Sequence, residues 1–330
     1  NYLRRGFVTA GFAALAVWAA ACSGEDGSPQ PKDSPNTGVS EVPSPAPCKS
    51  PEASAGTGTN PIVVSQSLVV GANRLTIALE RGGKLIENAS VGVRLFAPCS
   101  TVATLEDNAR WLELSAAPDH PHSPSGPSEA TTPNGLYVMA VSFPAAGQWA
   151  AELSIAGATP EVVSTTLTVL ADDPGHPIGS PAPKSETPKV GPGVNTKQID
   201  SSSPPHPEMQ QVSIADAIAS GRPSLAIFAT PAFCRSRICG PVFAEMLTLL
   251  PRYADRVEFI HVEPYQLDPT GQPVIDENGE FQLVPSVVEW RFPSEPWVVV
   301  IDRSGNVAAK FEGLVTAEEV SASIESVLES

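Results

Sequence analysis

The sequence predicts a multidomain chain in which an all-β sandwich is followed by an α/β domain. Strand-length apolar runs separated by turn residues fill 61–172, whereas strand and helix patterns alternate over 208–330. Two proline-rich stretches, 22–60 and 173–207, set the boundaries. The 330 residues leave room for two domains at roughly 100–200 residues each.

The N-terminus reads as an export signal spanning 1–21. Arg4 and Arg5 precede an apolar stretch, Gly6 to Ala21, that is short and rich in small residues for a bilayer span. The run Ala19-Ala20-Ala21-Cys22-Ser23-Gly24 resembles a bacterial lipobox, with Ala19 where that pattern prefers Leu. The resemblance implies that Cys22 is lipidated and holds the chain to a membrane on its extracytoplasmic side. Arg4-Arg5-Gly6-Phe7-Val8 also resembles a twin-arginine export motif, which leaves the export route open. From 22 to 60 the chain is rich in Ser, Pro, Gly and Thr, with seven prolines between Pro29 and Pro51, as in a disordered tether.

Strand-like runs follow at Ile62–Val64, Arg74–Glu80, Ser90–Ala97, Leu136–Phe143, Gln148–Ile155 and Val162–Leu170. Gly82-Gly83, Pro133-Asn134-Gly135 and Ala145-Ala146-Gly147 supply turns, and no helical period intervenes. Short strands at this density in 61–172 suggest an immunoglobulin-like sandwich. The spacing of Gly135, Tyr137, Val141, Phe143, Gly147 and Trp149 resembles the exported YtkA and FixH type of sandwich domain. In the loop 117–133, Asp119-His120-Pro121-His122 offers ligands for Cu(II) or Zn, or is a solvated loop broken by Pro121.

The stretch 173–207, with nine prolines from Pro174 to Pro207, reads as a semi-extended linker. Beyond it, Val212–Ser220 predicts a short helix, Leu225–Thr230 a buried strand and Val242–Tyr253 a helix. Val257–Val262 is the next strand, and 268–280 an acidic, turn-rich loop without the ligand spacing of a calcium loop. Val284–Trp290 forms a short helix, Trp297–Ile301 and Val307–Phe311 a hairpin, and Thr316-Ala-Glu-Glu319 a capping box opening a last helix.

The chemistry is concentrated in Cys234-Arg-Ser-Arg-Ile-Cys239-Gly240-Pro241, between a strand and a helix. A helix N-terminus stabilises a thiolate, and Arg235 and Arg237 add positive charge. Four residues separate the cysteines, too many for a disulfide along a regular helix, so Pro241 is taken as the first helical residue with Gly240 as its cap. Setting Cys22 aside, four of the five cysteines remain, and parity pairs Cys234 with Cys239 and Cys48 with Cys99. The first pair is then a redox couple, with Cys234 favoured as the attacking sulfur, or a static staple, or a metal site.

The element order, Phe228-Ala-Thr-Pro-Ala-Phe233-Cys234 and Ser294-Glu295-Pro296-Trp297 together resemble the thioredoxin-like fold superfamily, in a variant with widened cysteine spacing. That resemblance implies thiol–disulfide exchange with an exported protein through Cys234 and Cys239, and a cis-proline, Pro296, facing them. Paired cysteines after a strand also resemble Sco-type copper proteins, which implies a third, histidine ligand. His261 lies on a strand, where it reads as a half-exposed packing residue, and His206 lies in the linker.

A formal charge of −16 with no basic stripe excludes nucleic acid as a partner. Phosphate loops, zinc-protease motifs and serine-nucleophile elbows are absent from the sequence, and no cofactor is expected.

Overall fold

The first part of the chain is all-β. In the computed structural model, residues 58–114, 135–234 and 238–329 are described. Cys22, Cys48, the signal and the tether up to 57, His120, His122, Arg235 and Arg237 lie outside them, whereas the expected end of the tether, 59–60, is already strand. Strands β1 (Thr59–Val63), β2 (Gly71–Arg81), β3 (Lys84–Leu85), β4 (Val91–Phe96), β5 (Leu105–Glu113), β6 (Gly135–Phe143), β7 (Gly147–Ile155) and β8 (Glu161–Val169) form one antiparallel sheet. Its order is β1-β2-β6-β5-β4-β7-β8, with β3 hairpinned onto β2. Gly82 and Gly83, at φ 61° and 80°, make that hairpin turn, where positive φ at both positions favours glycine.

The sheet folds over along β5. Leu105–Ala109 pair with β4, whereas Arg110–Glu113 pair with β6. The two ends then come back together. Thr59 Oγ1 donates to Glu161 Oε1 at 2.8 Å, and Val70 N–H donates to Leu170 O at 2.9 Å. The sheet is thus nearly closed, and its inward residues fill one core that includes Leu75, Ile77, Leu95, Tyr137, Phe143, Trp149 and Leu153. Tyr137 is satisfied inside it, because its hydroxyl donates to Ile86 O and accepts from Ala89 N–H.

The second part is built on a smaller mixed sheet. Strands β9 (Ser224–Phe228), β10 (Glu258–Val262), β11 (Trp297–Ile301) and β12 (Val307–Glu312) take the order β10-β9-β11-β12. The β9–β10 pair is parallel and the other two are antiparallel. Both β9 and β11 are buried at every position, because helices cover both faces. Leu225, Ile227, Val298 and Val300 face α2 (Cys239–Leu247) and α5 (Ala317–Glu329). Ala226, Phe228, Val299 and Ile301 face α1 (Ile214–Ser220) and α4 (Pro285–Trp290).

Two helix boundaries depart from expectation, both at prolines. The helix expected to begin at Pro241 begins at Cys239, with Pro241 third in it. The first turn tolerates this because its N–H groups have no intrahelical acceptor; the first full-turn bond runs from Val242 N–H to Ile238 O at 2.9 Å. The single helix expected over 242–253 is broken into α2 and α3 (Leu250–Tyr253), because Pro251 has no N–H for a continuous ladder.

The segment 174–207, expected as a linker, is extended but anchored along its length. Gly179 N–H donates to Val307 O, Ala182 N–H to Gly305 O, and Val190 N–H to Gln210 O, at 2.7, 2.9 and 2.9 Å. Ala182 enters the core beside Ile214 and Trp290. The acidic loop is likewise ordered. Asp268 Oδ1 accepts from Thr270 and Gln272 N–H, and Asp276 Oδ1 from Asn278 and Glu280 N–H, closing two successive turns.

The two parts pack together within one compact unit, Pro47–Ser330. The outer face of β2, β5 and β6 contributes Ala78, Leu112, Leu136 and Val138, which enclose Ile238 and Leu314. Beside this apolar seam Arg74 makes a two-pronged contact with Glu319, Nε to Oε1 at 3.1 Å and Nη2 to Oε2 at 3.0 Å. Its Nη2 also donates to Leu314 O at 2.8 Å. Glu319 serves the helix end as well: its carboxylate accepts from Thr316 N–H at 3.3 Å, and Thr316 Oγ1 accepts from Glu319 N–H at 3.4 Å. The capping box expected at Thr316–Glu319 is therefore tied into the seam. Replacing Glu319 by Ala is expected to lower the unfolding free energy by about 1–3 kcal/mol, through the lost charge-assisted bonds and cap. Arg110→Ala, which removes a partner 59% exposed, is expected to change it by less than about 1 kcal/mol. Urea denaturation of the two variants checks both.

Candidate functional site

The buried β9 delivers the chain to a turn, Pro231–Phe233, from which Cys234 emerges half-buried. Phe233 N–H donates to Thr230 O at 3.3 Å, and Ser201 Oγ accepts from Ala232 N–H at 3.3 Å. Ser201 belongs to the proline-rich segment, so that segment helps to hold the turn. Cys234 is joined to Cys239 in a disulfide with a Cα separation of 5.9 Å, inside the usual 4.4–6.8 Å range.

The two sulfurs stand in different environments. Cys239 is fully buried at the first position of α2, among Val242, Phe243 and Val315. Its N–H, one of those with no partner inside the helix, donates to Cys234 Sγ at 3.3 Å. Cys234 is thus the less buried of the two residues, and its sulfur is the one that the N–H at the positive end of α2 reaches.

Pro296 arrives opposite for a reason of register. Trp297 pairs with Phe228 across the antiparallel β9–β11 contact, which places the residue before β11 beside the turn after β9. The Glu295-Pro296 bond is cis, and Pro296 O accepts from Gly313 N–H at 2.9 Å. Aromatic packing fixes the loop from below: Phe292 stacks on Trp297 with centroids 4.5 Å apart, and Phe228 meets Phe292 edge-on at 5.0 Å. Ser294 Oγ donates to Glu312 Oε1 at 3.2 Å. Glu312 Oε2 accepts from the N–H groups of Gln66 and Ser67, at 3.0 and 3.2 Å, so the first part of the chain also braces this loop. Burial pushes the Glu312 carboxyl up, and these hydrogen bonds only partly offset the shift.

Glu295 is the site residue to which the sequence reading gave no role. A carboxylate oxygen of Glu295 and the two sulfurs all lie within 4.8 Å of one another. The sequence signal was its position next to Pro296, which the register of β11 with β9 brings beside the turn after β9.

Behind the turn lies a buried polar cluster. His261, expected to be half-exposed, is 1% exposed, because β10 lies beneath the segment 199–210. Its Nε2–H donates to Ala229 O at 2.9 Å, and Nδ1 faces Asp200 Oδ1 at 3.6 Å. Burial disfavours ionisation of Asp200. His261 alongside, with hydrogen bonds from Ser202 and the His206 N–H, overrides it and holds the carboxyl well below the usual range. Burial likewise opposes charge on His261, and Asp200 raises its pKa above the ordinary value. Glu263, one residue beyond β10, is pushed up to about 7 by burial, against the pull of His261.

Neither His261 nor His206 joins the cysteines in a metal-holding group among the described residues. His206 instead contacts Glu208 Oε1 through Nδ1 at 2.8 Å. Cys99, exposed and at φ 65°, is disulfide-bonded. Comparison with protein-family models, curated proteins and solved structures finds no match for the chain.

The raised Glu263 has a direct consequence for stability. From about pH 4.5 to 7 the folded chain holds a proton on Glu263 that the unfolded chain has released, so this group's contribution falls as pH rises through that window. Glu263→Gln is expected to remove that fall and to raise the unfolding free energy at pH 8 by on the order of 1–3 kcal/mol, with little effect at pH 4.5. Urea unfolding of parent and variant at the two pH values tests this. An equal effect at both would place the ionised Glu263 in a site that already satisfies it.

Proposed function

We propose that this protein is an extracytoplasmic thiol–disulfide exchange protein, held to the membrane by lipid on Cys22 and acting on exported proteins through Cys234 and Cys239. In this reading the second part is a thioredoxin-like domain and the first an immunoglobulin-like sandwich that braces it. The observation that carries the reading is the inequality of the two sulfurs. Cys234 is the less buried and receives the Cys239 N–H at the helix start, whereas Cys239 is buried behind it. The cis Glu295-Pro296 bond beside them and the mixed sheet with helices on both faces support it further.

The exchange conserves two electrons. In the reducing direction the Cys234 thiolate attacks a partner disulfide, forming a Cys234–partner mixed disulfide and expelling one partner thiolate, which takes up a proton. Cys239 then gives up its proton and attacks Cys234 Sγ. This releases the second partner thiol and restores the Cys234–Cys239 disulfide. With a partner dithiol as the reductant the same steps run in reverse.

Cys239→Ser is expected to accumulate a mixed disulfide on Cys234 when expressed in an exporting host, and Cys234→Ser to accumulate none. Non-reducing electrophoresis with mass spectrometry reads the difference. A reduction potential below about −300 mV together with no trapped partner would identify a static staple instead.

A further inference from the structure

We propose that reduction of the Cys234–Cys239 disulfide creates a three-ligand site for a thiophilic divalent cation such as Zn²⁺, with Glu295 as the third ligand. The proposal rests on the exchange reading only in taking the disulfide to be reducible.

The geometry already gathers the donors: both sulfurs and a Glu295 carboxylate oxygen are mutually within 4.8 Å. Two thiolates bound tetrahedrally at about 2.3 Å each stand roughly 3.8 Å apart, and a carboxylate oxygen binds zinc at about 2.0–2.2 Å. The sulfurs reach that spacing by rotating about their Cα–Cβ bonds once the bond between them is gone, with the Cα atoms staying near 5.9 Å. Each ligand stands on a supported element. Cys239 opens α2, Cys234 follows the braced turn, and Glu295 sits between Ser294, held by Glu312, and Pro296, held by Gly313.

Donor chemistry selects the cation. Two thiolates favour soft and borderline metals, and a carboxylate shifts the preference from Cu(I) towards Zn²⁺. Three protein ligands leave a fourth position for water.

Disulfide and metal exclude one another, because each sulfur bonds either its neighbour or the cation. With a phosphine as reductant, the disulfide, one phosphine and one water give two thiols and a phosphine oxide. Zn²⁺ then displaces the two thiol protons. Bound metal therefore withdraws the pair from exchange, and binding weakens as pH falls.

The full exported chain, reduced with a phosphine and desalted, is titrated with Zn²⁺ against a chromophoric chelator. One Zn²⁺ per chain is expected, with none bound by the oxidised chain. Glu295→Gln is expected to weaken binding at least tenfold with an unchanged thiol count and an unchanged near-UV circular dichroism spectrum. Cys234→Ser and Cys239→Ser are each expected to abolish it. Co²⁺ provides a second readout, because its thiolate charge-transfer band appears in the reduced parent and its ligand-field spectrum shifts in Glu295→Gln. Equal affinity in Glu295→Gln, binding by the oxidised chain, or binding retained in Cys234→Ser would overturn the proposal. A chain that binds zinc on reduction but traps no partner removes the exchange reading and leaves this one standing; the opposite pair of results does the reverse.

Discussion

The two-sided burial of β9 is the constraint on which the site depends. Every residue from Ser224 to Phe228 is covered by helices and neighbouring strands, so a one-residue slip would push Leu225 and Ile227 into the wrong core. With that register fixed, the chain has one place to turn, and it turns at Pro231–Phe233 with Cys234 just beyond. The same register pairs Trp297 with Phe228 and brings Glu295 and Pro296 to the cysteines, Glu295 from 61 residues beyond Cys234. Apolar packing in the two cores thus sets the distances among the groups of the site, with Cys239 itself inside one core and Cys234 packed against it.

A second layer of control comes from the first part of the chain. Its outer sheet face encloses Ile238, the residue before Cys239, and Leu314, which follows the glycine bonded to Pro296. Gln66 and Ser67 hold Glu312, which in turn holds Ser294. The all-β part therefore braces both loops of the site.

Much of this was legible in the sequence. Alternation of apolar residues located most strands and the pair that forms the β11–β12 hairpin, and Thr316–Glu319 located a helix start. β5 was missed because Glu106, Asp107, Asn108 and Arg110 face solvent and break the apolar alternation; only its pairing partners make it a strand. The split between α2 and α3 was missed because apolar periodicity runs through Pro251, and only backbone hydrogen bonding registers the loss of an N–H. Glu295, Asp200 and Glu263 were invisible as a site because each owes its role to neighbours distant in sequence. Composition carries no record of such encounters.

The proline-rich segment gives this limit a practical form. By composition it is a spacer, and a boundary drawn from sequence starts the second part at 208. Yet Asp200 supplies the carboxylate facing His261, Ser201 ties the turn before Cys234, and Ala182 fills the core beside Trp290. A fragment begun at 208 would carry a buried imidazole stripped of its counter-charge, an untied cysteine turn and a gap beneath α1. The anchoring reaches back to Asp173, whose carboxylate pairs with Lys310 on β12. What composition reads as a spacer is hydrogen-bonded and packed into the structure that follows it.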